Sequence, residues 1–268
     1  WKDHFNRCRA QDSGDLTVEK LRKWIDEPRK TGLTKAAQNL IILTYAAQSG
    51  MSFTLHGGAC DGTIATLDDT WVLKQEAPPD KDEWEKAVPR AGSLFGVAVS
   101  PLATAANAGT LGAKVKEIAA GAKGSAQQYA QILKQKLGSL GVPDGAADRL
   151  KTAEATVALL NTLATATAKD VVGVLARVTV PTTDIAMSEC IKGSAKWVAS
   201  LEDRVWDLVH QIQQAAPDVQ QRAAPILADV RQALSLDDHV ATTPLKTVLD
   251  TAYQRLLAVF VQQPITPP

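Results

Sequence analysis

His4 and Cys8 stand four residues apart. That spacing would put an imidazole and a thiol on one helical face, as a zinc site requires. No second pair completes four ligands, because Cys60, Cys190, His56, His210 and His239 are scattered. Asp68-Asp69, and Asp80 with Asp82, have the chemistry to hold a divalent cation. Neighbouring loop carboxylates are usually just solvated, and that is the plainer reading. Gly57-Gly58 has no lysine or helix following it, so it reads as turn glycine rather than a phosphate cradle. Gly121-Ala122-Lys123-Gly124 has the spacing of an RNA-backbone clamp without the strands that surround one. It reads instead as a break between two Ala-rich helices. There is no G-x-x-x-x-G-K-[ST], no G-x-S-x-G and no local Cys/His nucleophile signature. The expectation is a chain with no catalytic, cofactor-binding or metal residue of its own.

The remaining polar chemistry is binding chemistry. Arg22, Lys23, Arg29, Lys30 and Lys35 make a locally basic stretch. Gln38 and Asn39 follow on a predicted helix, where amide side chains could reach base edges. Arg29, Lys30, Lys35, Gln38 and Asn39 are therefore the candidate contacts to DNA or to a protein partner. Against DNA, the same helix has an apolar centre, Leu40-Ile41-Ile42-Leu43, on which burial on most sides is expected.

The elements that must position these residues follow from periodicity. Thr17 can cap a helix that Pro28 stops, with Leu21, Trp24 and Ile25 on its apolar face. A second helix, Lys35 to Gln48, starts after Thr34 and is closed by Gly50. Met51, Phe53 and Leu55 then alternate with polar residues, which predicts a strand ended by His56-Gly57-Gly58. A loop through Asp61-Gly62 leads to a second strand, Thr70 to Glu76. Helix, helix, strand, loop, strand is winged-helix order, with a two-stranded wing. Glu83 to Phe95 adds a helix, with Pro89 a candidate break, packing back through Trp84, Val88 and Leu94.

Beyond Pro101 the apolar residues recur every three or four positions. They do so through Tyr129–Leu140, Leu150–Leu160, Trp197–Ile212, Val219–Val230 and Leu245–Val259. Gly141 to Gly145, with Asp144 as a cap, Ala216-Pro217-Asp218 and Thr243-Pro244 mark the turns. Val171 to Val180 is β-branched and fits either a strand or a helix; helix is the preferred reading. The fold class is mostly α. Residues 1–100 form a winged-helix-like α+β unit with an appended helix, 101–263 an antiparallel helical bundle, and 264–268 a Pro-rich linker tail.

Bulk composition agrees. With 45% hydrophobic and 22% charged residues the chain can build a core, which argues against disorder. Lys and Arg equal Asp and Glu at 29 each, so the basic excess of a dedicated nucleic-acid binder is missing. Three distant cysteines argue against a disulfide framework and for a reducing cytoplasm. No apolar run reaches membrane-span length. The polar start at Trp1 and the Pro-rich finish suggest a piece of a longer polypeptide.

One resemblance extends these readings. It is carried by Gly32 to Gln48, Ser52 to Gly58, Leu67-Asp68-Asp69, Leu73 to Glu76, Trp84 to Ala87 and Leu94 to Val97. These segments resemble the large P-loop ATPases of the phage-growth-limitation (Pgl) and BREX antiphage defence systems of actinobacteria. The likeness is strongest over residues 17–100. It implies a cytoplasmic phage-resistance parent whose ATP-binding loop lies N-terminal to this segment. No nucleotide-binding residue can be carried over to any position here, so ATP is implied only for the rest of the parent. The implied role is a non-catalytic scaffold or interaction region that packs on other domains of the ATPase and on sister defence proteins. The alternative is a DNA-binding winged helix that directs the ATPase to DNA.

Overall fold

The computed structural model describes residues 1–261 except His56, Gly57, Asp61, Glu76, Asp144 and Asp203. The strand end at His56-Gly57, the Asp144 cap and the 264–268 tail fall outside the described residues. The chain divides into two compact units. Unit 1 is Trp1–Trp84 with Val99–Thr110, and unit 2 is Glu85–Ala98 with the chain from Leu111 on.

Unit 1 runs α1 (Lys2–Gln11), β1 (Leu16–Thr17), α2 (Val18–Ile25), α3 (Lys35–Gln48), β2 (Met51–Leu55), β3 (Gly58–Cys60) and β4 (Val72–Gln75). Helix α4 (Lys81–Phe95) follows, and its first turn belongs to this unit. Thr17 caps α2 by accepting from Lys20 N–H, and Thr34 caps α3 by accepting from Ala37 N–H. Both fill donors that a helix start leaves without partners. Gly50 closes α3 at a φ of +62°, a left-handed conformation that favours glycine. Phe5, Val18, Leu21, Ile25 and Ile42 close over Leu16, Phe53 and Leu73 of the sheet.

The sheet is four-stranded, in the order β1-β4-β2-β3, with every neighbouring pair antiparallel. Phe53 pairs with Leu73 on one side and Cys60 on the other. Two strands were legible in the sequence and two were not. β1 has only two residues, and Gly58-Ala59-Cys60 carries no alternation. Both form because they meet an open strand edge that needs hydrogen-bond partners.

Unit 2 contains the rest of α4, α5 (Ala105–Ser139, from Leu111), α6 (Asp148–Thr165), α7 (Asp170–Arg177), α8 (Asp184–Leu201), α9 (Val205–Gln213), α10 (Pro217–Ser235) and α11 (Leu245–Val261). The stripes read from the sequence supply the core, with Tyr129, Leu133, Leu150, Leu201, Val230 and Leu249 all buried. Pro217 occupies the first turn of α10, and Pro244 immediately precedes α11.

Four local expectations are corrected. Pro89 does not break α4, and from Glu85 onward that helix belongs to unit 2. Within unit 2, Ser188 Oγ donates to the Leu94 carbonyl. Gly121 and Gly124 do not break α5, which runs 35 residues without interruption. A helical glycine costs only about 1 kcal/mol, which good helix formers on both sides and a packed face outweigh. The stripe from Trp197 to Ile212 is shared by two helices, because α8 ends at Leu201 and α9 starts at Val205. The N-cap of α6 is Ala147, which makes no side-chain cap bond. The β-branched stretch is helical as α7 as far as Arg177, and Val178 to Val180 lie beyond the helix.

The glycines of α5 differ in what they permit. A Cβ on Gly112 would come within 2.9 Å of Ala168 Cα and still closer to its carbonyl, whereas nothing lies within 4 Å of one on Gly121 or Gly124. Gly112→Ala should therefore lower stability by about 2 kcal/mol through overpacking. Gly121→Ala and Gly124→Ala should each raise it by about 0.5–1 kcal/mol. Denaturant unfolding of the three variants checks both signs.

Candidate interaction surfaces

Arg22 organises the part of unit 1 in which the candidate contacts lie. Its guanidinium pairs with the Asp69 carboxylate and donates to Asn39 Oδ1 at 2.6 Å and to the Leu67 carbonyl at 3.1 Å. Asn39 in turn donates to the Ile64 carbonyl at 2.7 Å and is only 3% exposed. The amide proposed to reach a base edge instead joins α2, α3 and the loop before β4. Gln38 is half-buried, while Arg29, Lys30 and Lys35 are exposed. The turn carrying Arg29 and Lys30 is closed by Asp26, which accepts from both the N–H and the hydroxyl of Thr31. Those bonds, backbone first, hold the Asp26 carboxyl below the usual carboxylate range.

The outer face of α3 is the feature the sequence reading missed. Leu40 was expected to be buried, yet it is 54% exposed, while Ile42 two residues on is fully buried. Ala36, Thr44 and Ala47 are exposed at helical spacing around Leu40. Thr44 spends its hydroxyl proton on the Leu40 carbonyl at 2.7 Å. Lys35 is the single charged residue in α3. Ile64, 47% exposed, adds a further apolar group beside Asn39. Periodicity could have found this face, because Ala36, Leu40 and Ala47 lie opposite Ile42 and Tyr45. The apolar run hid it, since all-round hydrophobicity normally signals burial.

The candidate metal and phosphate residues do not converge. His4 Nε2 lies 2.7 Å from the Trp24 carbonyl, and Cys8 Sγ is 3.8 Å from that same nitrogen. Asp68 is bound by Thr70, Asp69 by Arg22, and Asp80 by the Glu83 N–H. Among the described residues no group of three or more His, Cys, Asp or Glu is placed to hold a metal. Gly58 opens β3, and Gly57 lies outside the described residues. His210 is exposed and bonds Gln214 at 3.0 Å.

Unit 2 contains a buried cation. Arg149, 1% exposed, donates Nε–H to the Leu236 carbonyl at 2.7 Å and pairs through Nη2 with Asp238. Its guanidinium carbon lies 5.5 Å from the Trp197 ring centroid. Burial opposes its charge, but the Tyr129 hydroxyl and Asp238 outweigh this and raise its pKa. Asp237, also buried, accepts from Thr152 at 2.9 Å. Burial, which disfavours the charged form, raises the pKa of Tyr129 and of Cys190. These contacts fix the connection between α10 and α11. Beside it lies a cleft of about 480 Å³, with Ile226, Ala233, Val248 and Ala252 among its lining and the Asp229–Arg255 pair at its side.

This mostly helical chain matches two related families. Residues 88–264 match the family described as the sixth domain of the BREX System ATPase PglY protein. Residues 1–46 match the fifth domain of the same protein. The first match covers more than half of the chain, so the chain belongs to the BREX-system ATPases. Within that class it is a member of the PglY family, spanning sequence of the fifth and sixth domains. No solved structure matches it.

Two outcomes test the geometry. Arg149→Met leaves the half-buried Asp238 carboxylate and the Leu236 carbonyl without their guanidinium partner and should cost about 3 kcal/mol in denaturant unfolding. Thr31→Val removes the hydroxyl bond and keeps the larger backbone one, so it should bring the Asp26 pKa only part of the way up in an NMR titration. The depressed carboxyl stabilises the fold above the unfolded pKa, and that contribution is lost as pH falls through the folded one, so the variant should be slightly less stable than the parent near neutrality and match it in acid.

Proposed function

We propose that this chain is a non-catalytic assembly region of a PglY ATPase. It docks on protein through the uncharged outer face of α3, and the helical bundle serves as its scaffold. The observation that carries this reading is Leu40, 54% exposed on a helix with one charged residue. Exposed apolar surface of this kind is a mark of protein contact. Unit 1 supports it further, with eleven Lys and Arg against thirteen Asp and Glu. A duplex would be repelled by that balance rather than drawn to it. Other domains of the same ATPase and sister BREX proteins in the cytoplasm are the partners, and phage resistance is the process served. ATP binding belongs to the rest of the parent.

Unit 1 is read as a winged helix. Its order α1-β1-α2-α3-β2-β4, with β4 between β1 and β2, supports this. β3 is then an extra strand on the wing edge. The second reading, DNA binding, is favoured by the exposure of Arg29, Lys30 and Lys35 around the start of α3. It is weakened by Asn39, whose amide is spent inside the unit.

The test uses purified chain, the remainder of its parent ATPase and the sister BREX proteins. Leu40→Asp should weaken the complex at least about tenfold, or ~1.4 kcal/mol, without changing the unfolding midpoint. Unchanged affinity would remove α3 as the docking face. Joint replacement of Arg29, Lys30 and Lys35 by Ala should leave that complex intact. If it instead abolishes a salt-sensitive complex with duplex DNA, the second reading replaces the first.

A further inference from the structure

The connection between α10 and α11 is fixed at both of its roots by one carboxylate. Asp238 pairs with Arg149, and its Oδ1 also accepts the Leu245 N–H that begins α11. Residues 239–244 are therefore a short loop whose ends are held close together. Val240, Ala241, Thr242 and Thr243 of this loop wall the cleft, with Val240 61% exposed. Val240 and Ala241 each donate an N–H to the Asp237 carbonyl at 3.1 Å. Thr242 and Thr243 make no side-chain hydrogen bond to a described residue. Among the described residues, one side-chain hydrogen bond ties the loop to another helix: His239 Nε2 lies 2.9 Å from Thr183 Oγ1.

Thr183 is itself a junction. Its hydroxyl oxygen caps α8 by accepting from Ala186 N–H at 3.1 Å. The next residue, Asp184, accepts from Arg90 at 2.5 Å and from Ser93 at 2.8 Å, both on α4. A shift of this half of α4 would drag the first turn of α8, and with it the partner of His239. Packed helices joined by specific polar contacts pass on such shifts because they cannot deform continuously.

We propose that residues 239–244 are a strap over the α10–α11 cleft, and that Arg90 of α4 sets its position through Asp184, Thr183 and His239. The strap is held in its place along the cleft while the relay is intact and loosens when any link is cut. Arg149 holds the roots of the strap and is not part of the relay, so the fold survives when the relay is broken.

Residue-resolved amide hydrogen exchange on the whole chain tests this. Arg90→Ala and Asp184→Asn, both remote from the strap, should each speed exchange of the Val240 and Ala241 amides by about threefold or more. His239→Ala should do the same, and Arg90→Ala combined with it should add nothing further. The Val230 amide in the α10 core should keep its rate. Strap amides unmoved by Arg90→Ala and Asp184→Asn would overturn the proposal. So would additive effects in the double variant, or a rise shared by Val230.

Discussion

The second unit depends on one buried cation. Desolvating a guanidinium costs several kcal/mol, and Arg149 bears that cost at 1% exposure. The cost is met only because Leu236, Asp238 and the Trp197 ring converge on it from elements far apart in sequence. A partner missing from this set would leave a buried charge unsatisfied. The arrangement therefore fixes how α10 passes into α11, and so the shape of the cleft beside them. Apolar stripes alone would allow the helices to slide along one another, whereas a charged fork has one good geometry.

Unit 1 uses the same device more lightly. Arg22 and Asn39 hold α2, α3 and the loop before β4 in one arrangement. With those polar groups turned inward, α3 offers solvent Lys35 and Gln48 at its two ends and Ala36, Leu40, Thr44 and Ala47 between them. The Asn39 amide, a candidate for a base edge, is consumed in building the unit.

Helix existence in the bundle was legible because each helix buries one stripe, and a stripe is a local pattern. Caps at Thr17 and Thr34 and the turn at Gly50 were legible for the same reason. Interruptions were not. Pro89, Gly121 and Gly124 looked like breaks, yet packing along α4 and α5 outweighs a lost bond or a glycine's entropy. The division between α8 and α9 has no strong breaker to announce it. β1 and β3 were invisible because a two- or three-residue strand is defined by its neighbour's edge.

By itself the sequence determined the family, the mostly helical class, the residues of the core and the location of most helices. Each of these is written in residue types and short-range spacing. Tertiary structure decided which polar side chains are spent inside and which apolar ones are left outside. Asn39 and Arg149 look like surface residues until distant carbonyls and carboxylates reach them, and Leu40 looks like core until its neighbours turn away. Burial is a property of where the rest of the chain goes, and no spacing along one helix encodes that.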